Sequence, residues 1–193
     1  MVKNLLITIS GTPGSGKSTI AEILSKKLKA KRIYVGGIRR DLARKKGMTL
    51  EQLNEYALIH PETDVEVDET AAKEARQLNK ETNVIVEGRT QFHFLPESIK
   101  IYIKVDLAEG AKRIWQQIQN SQEQAQRNEG LPDSIEGVIE KLQERQKSDK
   151  KRYKKYYNLD HTDLSQYDLV IDTTKISAED GAQEIIDFLE NKA

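Results

Sequence analysis

Five short apolar runs punctuate an otherwise strongly polar chain. Leu5–Ile9, Arg32–Val35, Val84–Val86, Ile99–Val105 and Leu169–Ile171 are rich in valine and isoleucine and short, so they read as strands. Between them apolar positions recur at helical spacing. Ile20, Ile23, Leu24 and Leu28 form one stripe. Leu107, Ala111, Ile114, Trp115 and Ile118 form another, which assigns Trp115 to the core and not to a stacking platform. Ala182, Ile185, Ile186 and Leu189 make the inner face of a last helix. Charged helical segments are predicted over 37–47, 50–58 and 65–80. Asp106 with Glu109 predicts a capping box, and Pro132 and Asp133 predict the start of a helix running to about Tyr157. Strands alternating with helices predict an α/β fold with a parallel sheet covered on both faces. Ligands are then expected at the carboxyl ends of the strands.

Composition narrows this picture. The 193 residues suit one domain spanning 1–193. The 31 basic and 31 acidic side chains cancel, so no general pull toward nucleic acid or a membrane surface is expected. The absence of cysteine excludes disulfides and thiolate metal sites and fits a cytoplasmic protein. The chain enters a strand almost at once, so no signal peptide is expected, and no apolar stretch approaches a membrane span. His60, His93 and His161 are dispersed without ligand spacing.

The most informative chemistry lies between the first strand and the first helix. Gly11, Thr12, Pro13, Gly14, Ser15, Gly16, Lys17, Ser18 and Thr19 contain a complete G-x-x-x-x-G-K-[ST] pattern. A loop with few Cβ atoms lets backbone N–H groups reach phosphate oxygens, and the helix that follows aims its positive dipole end at the same anion. Lys17 supplies a point charge for the β- and γ-phosphates, and Ser18 offers a hydroxyl to Mg²⁺. A ligand-free glycine turn is the plain alternative, but the flanking strand and helix favour nucleotide binding.

Arginines follow two other predicted strands. Arg39 and Arg40 come after GGI, and Arg89 comes two residues after Glu87. Two guanidinium groups from two strand ends suit a second phosphate, because arginine pairs with phosphate oxygens bidentately; solvated surface arginines are the alternative. Arg145, Asp149 and Arg152 share one helix face at four- and three-residue spacing. By itself that face reads as a solvated helix with internal ion pairs. The Lys150–Lys155 run also admits a nucleic-acid patch, although it is short and the chain is neutral.

Taken together, the chain resembles nucleoside monophosphate kinases of the P-loop NTPase superfamily, most closely the short, archaeal-type cytidylate kinases. The resemblance rests on SGTPGSGKST at 10–19, GGIRRDLARKKGMTLEQ at 36–52, VIVEGR at 84–89, RYKKYYNLD at 152–160 and YDLVIDT at 167–173. It implies a three-layer P-loop fold with a five-stranded parallel sheet, an acceptor-binding arm at 36–80 and a helical lid at 113–152. It implies Mg²⁺-dependent transfer of the γ-phosphoryl group of ATP to CMP or dCMP, with no membrane or nucleic-acid partner and a monomer expected. Among the residues, it implies that Arg40 and Arg89, with Gly36 beside them, hold the acceptor phosphate. Glu87 then meets Mg²⁺ through water, Arg145 and Arg152 close over the phosphoryl groups, and Asp149 lies near the acceptor ribose.

Two departures from the family pattern stand out. Gln117 occupies the position of a second lid arginine after Arg113, which passes that task to Arg127 across a longer helix. Thr90 stands where the long bacterial cytidylate kinases carry an acid after the arginine matched by Arg89. Asp64 and Asp68 are therefore candidates to accept from the amino group of cytosine, with a solvated helix as the alternative. Adenylate kinase or a broad monophosphate kinase is the nearest rival activity; a P-loop ATPase or an RNA-associated protein lies further off.

Overall fold

A computed structural model describes residues 4–119 and 132–192. Its strands are β1 (Leu6–Gly11), β2 (Lys31–Tyr34), β3 (Val84–Glu87), β4 (Ile99–Lys104) and β5 (Leu169–Asp172). All pairings are parallel, in the order β2-β3-β1-β4-β5. The helices are α1 (Lys17–Lys27), α2 (Val35–Lys45), α3 (Leu50–Tyr56), α4 (Glu62–Asn79), α5 (Gln91–Phe94), α6 (Leu107–Ile118), α7 (Ile135–Tyr157) and α8 (Ala178–Lys192), with a 3₁₀ turn at Leu164–Gln166.

Alternation along the strands divides the core. Ile7 and Ile9 of β1, with Ile85, Ile101, Ile103 and Ile171, face α1 and α8 through Ile20, Leu24, Ile185 and Leu189. Leu6, Ile33, Val84 and Val86 face the other way, onto Ala71, Ala72 and Ala75 of α4. Small residues on α4 let it lie close to the sheet. A third cluster joins α6 to α7 through Ala111, Ile114, Val138 and Leu142, with Trp115 and Ile118 packed against it. Trp115 is therefore a packing residue, as its stripe predicts.

β1 is central, and the chain leaves it for β2 before returning to β3. The loops after β1 and β3 consequently open side by side at the carboxyl edge of the sheet, where strand order reverses.

Boundaries differ from the sequence expectation in a few places. Val35 begins α2 and does not end β2; a β-branched residue reads locally as strand, but its side chain buries in the same cluster either way. Asp106 caps α6 by accepting from the amides of Ala108 and Glu109, yet the reciprocal half of the expected box is not made, because the Glu109 carboxylate takes the Arg113 guanidinium at 2.9 Å. The reciprocal box occurs instead at α3, between Thr49 and Gln52. Ser134, not Pro132 or Asp133, caps α7 through the amide of Gly137.

Candidate active site

The glycine loop is shaped by two contacts that fix its ends. The Thr12 amide bonds the carbonyl of Ile103 at 3.0 Å, and the Ser15 amide turns back to the carbonyl of Thr12 at 3.3 Å. At Gly14 the backbone is left-handed, with φ 77°, and an added Cβ would lie 2.4 Å from the carbonyl oxygen of Gly110. Gly16 has the same φ, but its Cβ direction meets nothing within 4 Å. That open side is the cradle. The first bond of α1 runs from the Ile20 amide to the Gly16 carbonyl, so the amides of Lys17, Ser18 and Thr19 precede it and have no intrahelical acceptor. They are available to an anion, and the helix dipole favours one there.

Not every residue of the motif faces the cleft. Pro13, Gly14, Gly16, Lys17, Ser18 and Thr19 line it. Gly11 and Thr12 lie behind it: the Thr12 hydroxyl accepts from the Val105 amide at 3.0 Å and ties the loop to the end of β4. Ser15 is buried, its carbonyl accepting from Thr173 Oγ1 at 2.9 Å.

Cations converge on this cradle. Lys17 Nζ donates to the Thr12 carbonyl at 3.2 Å. Burial, then the positive charges of Arg89, Arg145 and Arg40, push its ammonium down to about 7, against the pull of Glu87. Arg40, on α2, donates to Tyr34 Oη at 2.7 Å and to the Gly36 carbonyl at 3.1 Å. Arg113 spans the Thr173 carbonyl and Glu109. Lys17, Gly36, Arg40, Arg89, Arg113 and Arg145 all line one cleft of about 690 Å³, a size typical of small-ligand sites. With Arg39 and Arg152 these cations outnumber the four carboxylates of the lining, Asp64, Asp68, Glu87 and Asp149, an excess that suits a polyanion.

Glu87 closes the end of β3 in a buried position. It accepts from Ser18 Oγ at 2.5 Å through one oxygen and from Arg32 Nη2 at 2.5 Å through the other. One hydroxyl and one carboxylate side by side suit Mg²⁺, which keeps most of its waters and takes few protein ligands. Among the described residues no cluster of three or more His, Cys, Asp or Glu could hold a metal by itself.

The far wall of the cleft is a chain of buried ion pairs. Arg89 Nη1 meets Asp149 Oδ2 at 2.5 Å, and the other Asp149 oxygen accepts from Arg152. Arg152 also donates to Asp64 Oδ2, whose Oδ1 accepts from Arg39. Burial alone would raise the Asp149 carboxyl, but Arg89, Arg152, Arg145 and His161 hold it down at about 2. The solvated-helix readings therefore fail: Asp64, Asp149 and Arg152 are each 1% exposed. Asp68 is also buried, bonded to Thr90, Gln91 and Tyr157. The basic run on α7 is not a continuous surface patch either. Arg152 and Tyr153 within it are buried, Lys150 pairs with Asp160 at 3.1 Å, and Lys155 caps the Leu58 carbonyl at 2.8 Å. Arg127 lies outside the described residues.

The histidines are scattered, as their spacing implies. His60 stacks on Tyr56 at 3.7 Å, while His161 is buried edge-on to Tyr153. Sequence reasoning named Arg39 beside Arg40, and both line the cleft, but it missed Asn54. Asn54 sits in an ordinary charged helix and carried no signal.

Known proteins resemble the chain over most of its length. Residues 7–132 match the AAA domain family. The cytidylate kinase of Pyrococcus abyssi is 38% identical over 176 residues, covering 91% of this chain and 88% of that protein. The cytidylate kinase of Methanocaldococcus jannaschii is 37% identical over 177 residues, covering 91% and 92%. More distant solved structures share the fold. Shikimate kinase from Acinetobacter baumannii, in complex with shikimate, is 18% identical with a TM-score of 0.57, over 98% of this chain and 94% of that one. Thymidylate kinase from Candida albicans is 17% identical with a TM-score of 0.56, over 98% and 92%.

Proposed function

Since the chain belongs to the cytidylate kinases of the P-loop kinase superfamily, we propose that its cleft transfers the γ-phosphoryl group of ATP to CMP or dCMP, giving ADP and the diphosphate. The observation that carries this reading is the meeting of Lys17, from the phosphate loop, with Arg40, Arg89 and Arg145, from three other elements, in one cleft. A simple ATPase has no use for a second guanidinium set.

Each residue then has a task. The amides of Gly14, Gly16, Lys17, Ser18 and Thr19 wrap the ATP phosphates, and the Lys17 ammonium bridges the β- and γ-groups. Ser18 would hold Mg²⁺ directly and Glu87 through water, and the ion would supply neutralisation of charge on the phosphates. Arg40, on α2 and bonded to the Gly36 carbonyl, and Arg89 grip the acceptor phosphate. Its oxygen is already an anionic nucleophile, so no general base is needed; it attacks the γ-phosphorus as the bridging oxygen of ADP departs in line. Arg145 and Arg152, from the lid segment 113–152, meet the charge that spreads over the migrating group. The arm at 36–80 presents the acceptor, and closure of the lid excludes water, which would otherwise compete as nucleophile.

The deciding experiment is a coupled ADP-release assay with ATP, Mg²⁺ and a panel of CMP, dCMP, UMP, AMP and GMP. CMP and dCMP are expected to give the highest kcat/KM. Preference for AMP would favour adenylate kinase, and ADP release indifferent to every monophosphate would leave an ATPase.

A further inference from the structure

The acceptor side of the cleft contains two aspartates one helical turn apart on α4, and their surroundings differ. Asp64 has an arginine on each oxygen: Arg39 on Oδ1 and Arg152 on Oδ2. It anchors the two guanidinium groups. Asp68 is bonded only by neutral donors, the hydroxyls of Thr90 and Tyr157 at 2.9 Å each and the Gln91 amide at 2.9 Å. Both Asp68 and Thr90 line the cleft. Asp68 thus brings a carboxylate to the wall of the cleft beside the Thr90 hydroxyl. Burial, partly offset by the Thr90 and Tyr157 hydroxyls and by Arg39 and reinforced by Asp64, raises this carboxyl to about 6. Such a carboxylate gains from a further donor.

A second polar group has a fixed orientation beside it. Asn54 lines the same cleft, and its Oδ1 accepts from Arg39 Nη2 at 3.0 Å and Arg152 Nη2 at 3.5 Å. Guanidinium groups only donate, so the oxygen of this amide must face them. Its NH₂ is turned away and donates to none of the described residues.

We propose that Asp68 and Asn54 together read the acceptor base as a 4-aminopyrimidine: Asp68 accepts from the exocyclic amino group, and the Asn54 amide donates to a ring acceptor. Cytosine offers that donor and acceptor pattern. Uracil reverses it, placing a carbonyl oxygen against the carboxylate and an N–H against the amide donor. Thr90, Gln91 and Tyr157 are positioning residues that hold the Asp68 carboxylate in place.

This inference rests on the kinase reading above, and its test separates the two. The wild-type enzyme is assayed with CMP, UMP and the analogue of CMP that carries hydrogen in place of the 4-amino group; Asp68→Asn and Asn54→Ala are assayed with the same three. For the wild type, losing the amino group is expected to lower kcat/KM on the order of a hundredfold, since a site built to bond a polar group rejects the analogue without it. In Asp68→Asn, CMP and the analogue should come within about threefold of each other and the CMP:UMP ratio should fall at least tenfold, while KM for ATP stays within about threefold. Should Asp68→Asn fail to fold, the wild-type comparison of CMP with its analogue still decides. Equal use of the two by the wild type, or an unchanged CMP:UMP ratio in a folded Asp68→Asn enzyme, overturns the base-reading assignment and leaves the kinase reading standing. A wild type that phosphorylates no monophosphate overturns both.

Discussion

Arg89 Nη1 lies 2.5 Å from Oδ2 of Asp149, joining the loop after β3 to the middle of α7 across 60 residues of sequence. The same carboxylate holds Arg152. A group proposed to grip the acceptor phosphate is thus clamped by a protein anion, which keeps its charge aimed into the cleft and makes Asp149 central to both stability and binding.

Asp149→Ala leaves Arg152 buried beside one carboxylate where it had two. Removing one partner from a buried pair typically costs about 3–5 kcal/mol. Urea unfolding should show a loss at or above the lower end of that range, and KM for the acceptor should rise. The pH dependence follows from the depressed carboxyl. Its folded value of about 2 lies below the ordinary 3.8, so the folded state favours the charged form. The stabilisation is complete above pH 4 and is lost as pH falls toward 2. Asp149→Asn should flatten that part of an acid-unfolding curve.

Lys17 gives a prediction of opposite sign. Its ammonium is pushed down to about 7 by burial and neighbouring cations, and a triphosphate beside it would favour the charged form. ATP binding near pH 8 should therefore take up a proton, measurable by calorimetry in buffers of different ionisation enthalpy. Affinity for ATP in the free enzyme should fall as pH rises through about 7. Lys17→Arg should abolish the proton uptake. Lys17→Ala should lower kcat by roughly 10²–10³-fold or more, as for removal of other transition-state donors, with an unchanged unfolding midpoint.

Gly14 and Gly16 separate stability from binding. Both have φ 77°, so alanine at either is strained, by about 1 kcal/mol. At Gly14 the new Cβ also strikes the Gly110 carbonyl at 2.4 Å, and Gly14→Ala should lower the unfolding free energy by several times that amount. At Gly16 the Cβ enters open cradle. Gly16→Ala should unfold nearly as wild type and lose ATP binding, measured by nucleotide titration.

Arg40→Ala should raise KM for the acceptor at least tenfold with KM for ATP within about threefold, the pattern of a lost ground-state contact on one substrate. Equal losses for both nucleotides would contradict a two-site cleft.

How far the sequence carried this picture depends on the range over which each feature is set. The five strands and the phosphate loop were legible because their causes are local. Valine and isoleucine runs mark β1 to β5, and the glycine spacing from Gly11 to Ser18 is a backbone requirement. The acceptor wall was not. Asp64 and Asp68 sit in ETDVEVDE, which by itself looks like a solvated helix face. Asp64 is held by Arg39, 25 residues before it, and Arg152, 88 residues after it, and Asp68 by Thr90, Gln91 and Tyr157. No local pattern encodes that pairing. Asn54 is hidden for the same reason: its role is fixed by two guanidinium groups that meet only after α2, α3 and α7 have packed.

α7 has one more implication. From Val138 to Tyr157 it contains neither glycine nor proline, and its 23 residues extend for about 35 Å. Near its start Leu142 packs on α6, in its middle Asp149 holds Arg89 and Arg152 reaches Asp64 of α4, and at its end Tyr156 Oη bonds the Ala57 carbonyl at 2.5 Å. A stiff rod fastened at three places cannot tilt at one without displacing the others. Arg145 rides on the same rod, so any movement of α7 carries that guanidinium and the acceptor wall together.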